Sequence, residues 1–410
     1  MKNLLLYQQA LLELIKIGIG TSDGSFDFSR LSHDEWEDVL HESKAHAIGL
    51  LCFDSTSSCV NLIPKDIYKQ WLGHSAKVIA NNIEVQSGQK WLVDLLEKNN
   101  IPYVILKGLS TASFYPDYEK RSCGDVDFIT PPEFLEKTEK LLLQNGCIKD
   151  ERHTDVHYVY NRAGITYELH FEISGTPDGI RGEIVKEYFS SIVSNFNKDE
   201  ETSFKRPSVE HNGAVVFFHI IHHLLSVGIG LRQICDWTCF VNKTLNDKFW
   251  TSSFIPLLEK IGLKYFLMVL TSASVRYMGI SKPIWLEMVD DEISNKFILE
   301  VLRAGNFGKK EKELAGTGIM FSKDRKNKTL SSKISTMLRT LNSTNHKVYP
   351  ILDKAPWLYP FVMLRRIIKF VFLLFIGTRQ SLLNASKYAD QKGDLVSLFG
   401  LYNEEVIDNE

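Results

Sequence analysis

Apolar positions recur at helical spacing through the first hundred residues. Leu4, Leu5, Leu11, Leu12, Leu14 and Ile15 stand among polar residues over 4–17 and predict an amphipathic helix. A loop with Gly20, Gly24 and Ser25 follows. Ser32-His33-Asp34-Glu35 then has the capping-box pattern and predicts a helix through Trp36, Val39 and Leu40 towards Ile48. Pro64 opens a longer helical stretch through Trp71, Val78, Ile83, Trp91 and Leu95, expected to end near Asn99-Asn100. Its tryptophans and leucines are core positions.

From Ile101 the pattern changes to strands mixed with short helices. Tyr103-Val104-Ile105-Leu106 reads as a buried strand that stops at Lys107-Gly108 before the helix-compatible run 109–115. A strand, a glycine turn and a helix start is an arrangement in which free backbone N–H groups favour phosphate. Gly124-Asp125-Val126-Asp127-Phe128-Ile129 is a second strand, and Pro131-Pro132-Glu133 starts a helix that Gly146 closes. Residues 166–173 alternate polar and apolar strictly, which places Glu168, His170 and Glu172 on one face of a half-buried strand. After the polar linker 195–202 the chain turns helical again. The division expected is 1–100 helical, 101–195 a mixed core, and 205–410 mainly helical, hence an α+β protein with a small mixed sheet flanked by helical regions.

Composition adds bounds. With 410 residues, 44% hydrophobic and 24% charged, the chain is long enough for two or three domains with real cores. A net charge of −2 argues against a surface built for non-specific nucleic-acid binding, and no RNA-binding motif is present, so nucleic acid is not the favoured partner. The six cysteines are scattered without a Cys-x-x-Cys pair, which disfavours a zinc site made from them. The start turns polar too early for a signal peptide, and a cytoplasmic location is expected.

The candidate chemistry centres on Asp125 and Asp127. On a strand they share one face while Val126 and Phe128 share the other. Two carboxylates held so close repel, and the usual remedies are a shared proton or a hard divalent cation such as magnesium.

The ordered combination Leu106-Lys107-Gly108, Tyr115-Pro116, Arg121, Asp125-Val126-Asp127 and Glu168-Leu169-His170 resembles the bacterial nucleotidyltransferase-like family of the DNA polymerase beta superfamily. The motif-bearing likeness covers about residues 100–175. It implies a small mixed sheet with helices on one side and transfer of a nucleoside monophosphate from an NTP, ATP among them, with Mg2+ held by Asp125, Asp127 and Glu168. Lys107, Gly108, Ser110 and Arg121 would meet the nucleotide phosphates. Leu109 after Gly108 departs from the serine or glycine usual there, and favours the alternative of a nucleotidyltransferase fold that binds without turnover. The acceptor hydroxyl, on a small molecule, glycan, peptide or protein, is open. Facing alone leaves Glu168, His170 and Glu172 equal as third acid; the resemblance selects Glu168, and Glu172, ~13 Å further along an extended strand, cannot reach the same ion.

The C-terminal part carries His219 and His223 at i, i+4, with no glutamate between them in the protease pattern, and these with Cys235-Asp236-Trp237 read as scaffold at the cleft wall. Residues 305–333 form a basic segment read as a solvated loop. Residues 357–375 are strongly apolar, but Arg365, Arg366 and Lys369 make spanning a membrane costly, so a buried helix is the first reading and peripheral membrane contact through 357–377 the second. The acidic tail 403–410 is read as disordered.

Overall fold

A computed structural model describes residues 4–306 apart from 23, 151–155, 178, 199–203 and 227, and beyond them residues 310, 352, 355–365, 368 and 393–401. The first helices follow the pattern of the chain. Helix α1 is Leu6–Gly18 and α2 is His33–Ala45. The box at the start of α2 is closed both ways: Ser32 Oγ accepts from Glu35 N at 3.3 Å, and Glu35 Oε2 accepts from Ser32 N at 2.9 Å. Ala47, at φ 55°, breaks the chain before Ile48, and a separate short helix α3, Gly49–Asp54, follows that the periodicity did not announce. Helix α4, Lys65–Lys98, begins after Pro64 and ends against Asn100 at φ 53°, as the proline and the asparagine pair require.

The sheet is built from β1 (Val104–Ile105), β2 (Val126–Ile129), β3 (Ile148–Lys149), β4 (His157–Arg162) and β5 (Ile165–His170), in the order β1-β2-β5-β4-β3. Only β2 and β5 run parallel. Helices α5 (Gly108–Ala112) and α6 (Leu135–Gln144) connect β1 to β2 and β2 to β3. One face of the sheet, with Val126, Phe128, Tyr160, Tyr167 and Leu169, packs against Val85, Leu92, Val93 and Leu96 of α4 and Leu142 of α6. Gly88 allows that approach, since a Cβ there would stand 2.8 Å from the Tyr167 hydroxyl oxygen.

The later helices are α7 (Ile180–Phe189), α8 (Val209–Leu225), α9 (Leu231–Lys243), α10 (Ile255–Lys260), α11 (Lys264–Met278) and α12 (Asp291–Ala304), of which α8 and α9 meet the other face of the sheet around a cavity. Part of the stretch read as linker is strand. β6 (Phe196–Lys198) pairs antiparallel with β7 (Lys205–Pro207). The N-terminal and C-terminal helices share a single apolar core, in which Leu11, Trp36 and Trp71 belong with Phe217, Trp237 and Phe266.

The basic segment falls outside the described residues apart from 305, 306 and 310, and the acidic tail falls wholly outside them. Of the apolar stretch 357–377, residues 357–365 and 368 are described, and Trp357, Phe361, Leu364 and Ile368 are exposed there, against the first reading of a buried helix. Among the described residues no helix is long and apolar enough to cross a membrane.

Candidate active site

Because β2 and β5 run parallel with Asp127 directly opposite Glu168, the two acids lie side by side on the face turned away from α4. Asp125 follows the same alternation just before β2. Carboxylate oxygens of Asp125, Asp127 and Glu168 all lie within 4.8 Å of one another. They line a cavity of about 340 Å³ whose wall also holds Lys107, Gly108, Arg232 and histidines of α8. Glu172 lies beyond the end of β5, faces a different, larger apolar cavity, and pairs with Lys186 at 3.7 Å.

Asp127 is the buried centre, 2% exposed. Lys107 Nζ stands 2.6 Å and His170 Nε2 2.8 Å from its Oδ1. Burial pushes the carboxyl up, but these two partners outweigh it and hold it well below the usual carboxylate range. His170 has acceptors on both nitrogens, Asp127 Oδ1 on Nε2 and the Glu172 carbonyl 3.3 Å from Nδ1. Only an imidazolium can donate to both, and although burial opposes it, the Asp127 and Glu168 contacts raise the ring above its ordinary value. Lys107 is likewise raised: burial lowers it, and the charges of Asp127, Glu168 and Asp125 more than compensate. Asp125 is pushed up to about 6, first by burial and then by the charge of Asp127. Three carboxylate donors, one of them destabilised in its charged form, are a set that a hard divalent cation fits, with oxygen ligands alone.

Backbone strain sits at the same place. Lys107 has φ 41° and Gly108 φ 44°, and the atom nearest a Cβ built on Gly108 is the Asp125 carbonyl at 3.8 Å. A left-handed lysine costs of order 1 kcal/mol or more, and here it carries the ammonium to Asp127.

Two residues expected at the phosphates are placed otherwise. Ser110 is fully buried, and its Oγ accepts from Asn212 Nδ2 at 2.9 Å, so it points into the α5–α8 packing. Arg121 borders the cavity, but its Nε and Nη2 are bound to Asp236 Oδ1 and Oδ2 at 2.7 and 2.8 Å, a buried bidentate pair that also takes the Tyr115 hydroxyl at 2.8 Å. Its guanidinium is thereby committed to the scaffold.

The histidines of α8 stand where the sequence reading put them, at the cleft wall: His219, His222 and His223 all line the cavity. Burial first, with Lys107 and neighbouring rings adding to it, lowers all three and keeps them neutral. Other residues were missed. Asn82 of α4 bonds the carbonyls of Glu119 and Arg121 and accepts from Cys123 N, while Asn81 bonds the Cys123 carbonyl, so this pair pins the chain just before Asp125. An Asn-Asn pair in the middle of an apolar-faced helix was the available signal. His157 and Arg232 also line the cavity and carry no local motif.

The model of a family described as uncharacterised nucleotidyltransferase matches residues 32–279, more than half of the chain. The chain belongs to that family. The match takes in α2 to α11, so the helices around the acid cavity belong to the nucleotidyltransferase family pattern together with the sheet. No curated protein matches the chain significantly.

Proposed function

We propose that this protein is a magnesium-dependent nucleotidyltransferase that moves a nucleoside monophosphate from an NTP to an acceptor hydroxyl and releases pyrophosphate. One observation carries the reading: Asp125 just before β2, Asp127 on β2 and Glu168 on its parallel neighbour β5 have oxygens within 4.8 Å of each other and line one cavity. An all-oxygen set suits magnesium, which when bound would supply Lewis-acid charge at the phosphates. The remaining work falls to the chain itself. Gly108, without a side chain, leaves the cavity floor open to phosphate oxygens. Lys107 and Arg232 bring positive charge to the same wall and offset the charge of the triphosphate. Glu168 takes the proton of the acceptor hydroxyl on a carboxylate oxygen as the new bond to the α-phosphorus forms and the bond to the pyrophosphate oxygen breaks. His170 holds Asp127 in place by its Nε2 contact.

Ser110 turned into the core, with Leu109 before it, favours a second reading, a protein that binds nucleotide on this fold without turnover. Purified full-length protein incubated with each of four labelled NTPs and magnesium, scored for pyrophosphate and for label on co-purified material, separates the two. Pyrophosphate from at least one NTP supports the transferase. Nucleotide binding with no pyrophosphate from any of the four leaves the second reading standing.

A further inference from the structure

Next to the three carboxylates, and sharing one of them, lies a donor set of different chemistry. His157 on β4 and His170 on β5 are directly opposite each other in the antiparallel ladder, with ring centroids 4.8 Å apart. Glu168 precedes His170 by two residues on the same face. His157 Nε2 is 3.5 Å from Glu168 Oε1, and His170 Nε2 is 3.5 Å from Glu168 Oε2. One ligand atom from each of the three falls within 4.8 Å of the others. Donors ~2.0–2.1 Å from a tetrahedral ion stand ~3.4 Å from one another, and each imidazole already stands at about that distance from one Glu168 oxygen, His157 from Oε1 and His170 from Oε2. At the same 3.5 Å the contacts are at the outer limit of hydrogen bonding.

We infer that His157, Glu168 and His170 form a binding site for a borderline divalent transition ion, zinc being the chemical type, beside the acid site and joined to it through Glu168. Two imidazoles and one carboxylate are the donors such ions take, and three protein ligands with an open position mark a site that keeps room for another molecule. Magnesium has no use for the two nitrogens.

The surroundings agree. All three donors sit on adjacent strands of one sheet, which fixes their spacing without loop closure. A gap of about 10 Å³ is lined by His170 and by His219 of α8, and His219 Nδ1 is buried with no hydrogen-bond partner among the described residues. Binding an ion at His170 Nε2 displaces that nitrogen's proton and its Asp127 contact, and Lys107 Nζ, 2.6 Å from the same Oδ1, then keeps that carboxylate paired. All six cysteines are buried elsewhere and free, and none belongs to the set. The inference does not depend on what the acid site transfers.

The test uses the full chain stripped with chelator and titrated with CoCl2 as a spectroscopic probe, then with ZnCl2 in competition. The expected result is one Co2+ per chain with visible bands more intense than those of the aqueous ion, no sulfur charge-transfer band, and displacement by Zn2+. His157→Gln, at a half-buried position that leaves the Asp127 contacts intact, should weaken Co2+ by at least about tenfold with unchanged circular dichroism and melting. Asp125→Asn should bind Co2+ as the wild type does. The inference is overturned by a spectrum no different from aqueous Co2+, by unchanged affinity in His157→Gln, or by equal loss in Asp125→Asn, which would put the ion in the acid site. Failure of magnesium-dependent transfer leaves this readout untouched.

Discussion

Replacing Arg121 by methionine would leave Asp236, 5% exposed, with its two guanidinium bonds of 2.7 and 2.8 Å gone and, among the contacts described, the Tyr115 hydroxyl remaining. A buried carboxylate that loses its cation costs about 3–5 kcal/mol. With about 2–4 °C per kcal/mol for a large domain, the melting temperature should fall by roughly 6–20 °C. Thermal unfolding followed by circular dichroism, with urea unfolding as a second measure, reads this directly. The double variant Arg121→Met with Asp236→Leu should recover most of the loss, because a buried pair replaced by apolar groups of similar size is often close to neutral. A substrate role for Arg121 makes the opposite forecast: melting within about 2 °C of wild type together with a large rise in the KM for NTP. That outcome would refute the scaffold assignment.

Two further outcomes follow from the same geometry. Asp125, pushed up to about 6 from its ordinary value of 3.8, binds its proton more tightly folded than unfolded, so its contribution to stability is greatest below about pH 4, falls as pH rises through about 4–6 and then levels. Discounted because the carboxyl opens to the cavity, this is about 1–2 kcal/mol, and metal-free Asp125→Asn should lack the decline in urea unfolding from about pH 4 to 7; an equal slope in the variant would place the destabilising charge elsewhere. Glu168→Gln should lower kcat for transfer by at least about a hundredfold while Glu172→Gln changes it less than threefold, since Glu172 faces another cavity and pairs with Lys186; the reverse order in steady-state kinetics would mean the third acid is misassigned.

The parts of this molecule that rest on local rules were legible in the sequence. The capping box at Ser32, the proline before α4, and the alternation that puts Asp125, Asp127 and Glu168 on single faces are decided by neighbours within four residues. What depends on distant partners was not. Arg121 and Asp236 are 115 residues apart, and nothing local distinguishes a scaffold arginine from one that meets phosphate. Ser110 lies in a five-residue helix, too short for periodicity to say which side turns inward. His157 enters the cavity only because β4 returns beside β5 through the turn at Ala163-Gly164, where φ is 49° and 82°. The β2–β5 pairing that brings the acids together crosses two intervening strands, and that order is a property of the whole sheet.

The central claim is tested most directly by following the two ends of the triphosphate. An NTP labelled at the α-phosphorus and the same NTP labelled at the γ-phosphorus are each incubated with the protein and magnesium. Nucleotidyl transfer predicts α-label on the acceptor, γ-label released as pyrophosphate, and loss of both in Asp125→Asn and Asp127→Asn, which stay folded. Label from the γ-phosphorus on the acceptor, or undiminished transfer by Asp127→Asn, would contradict the account.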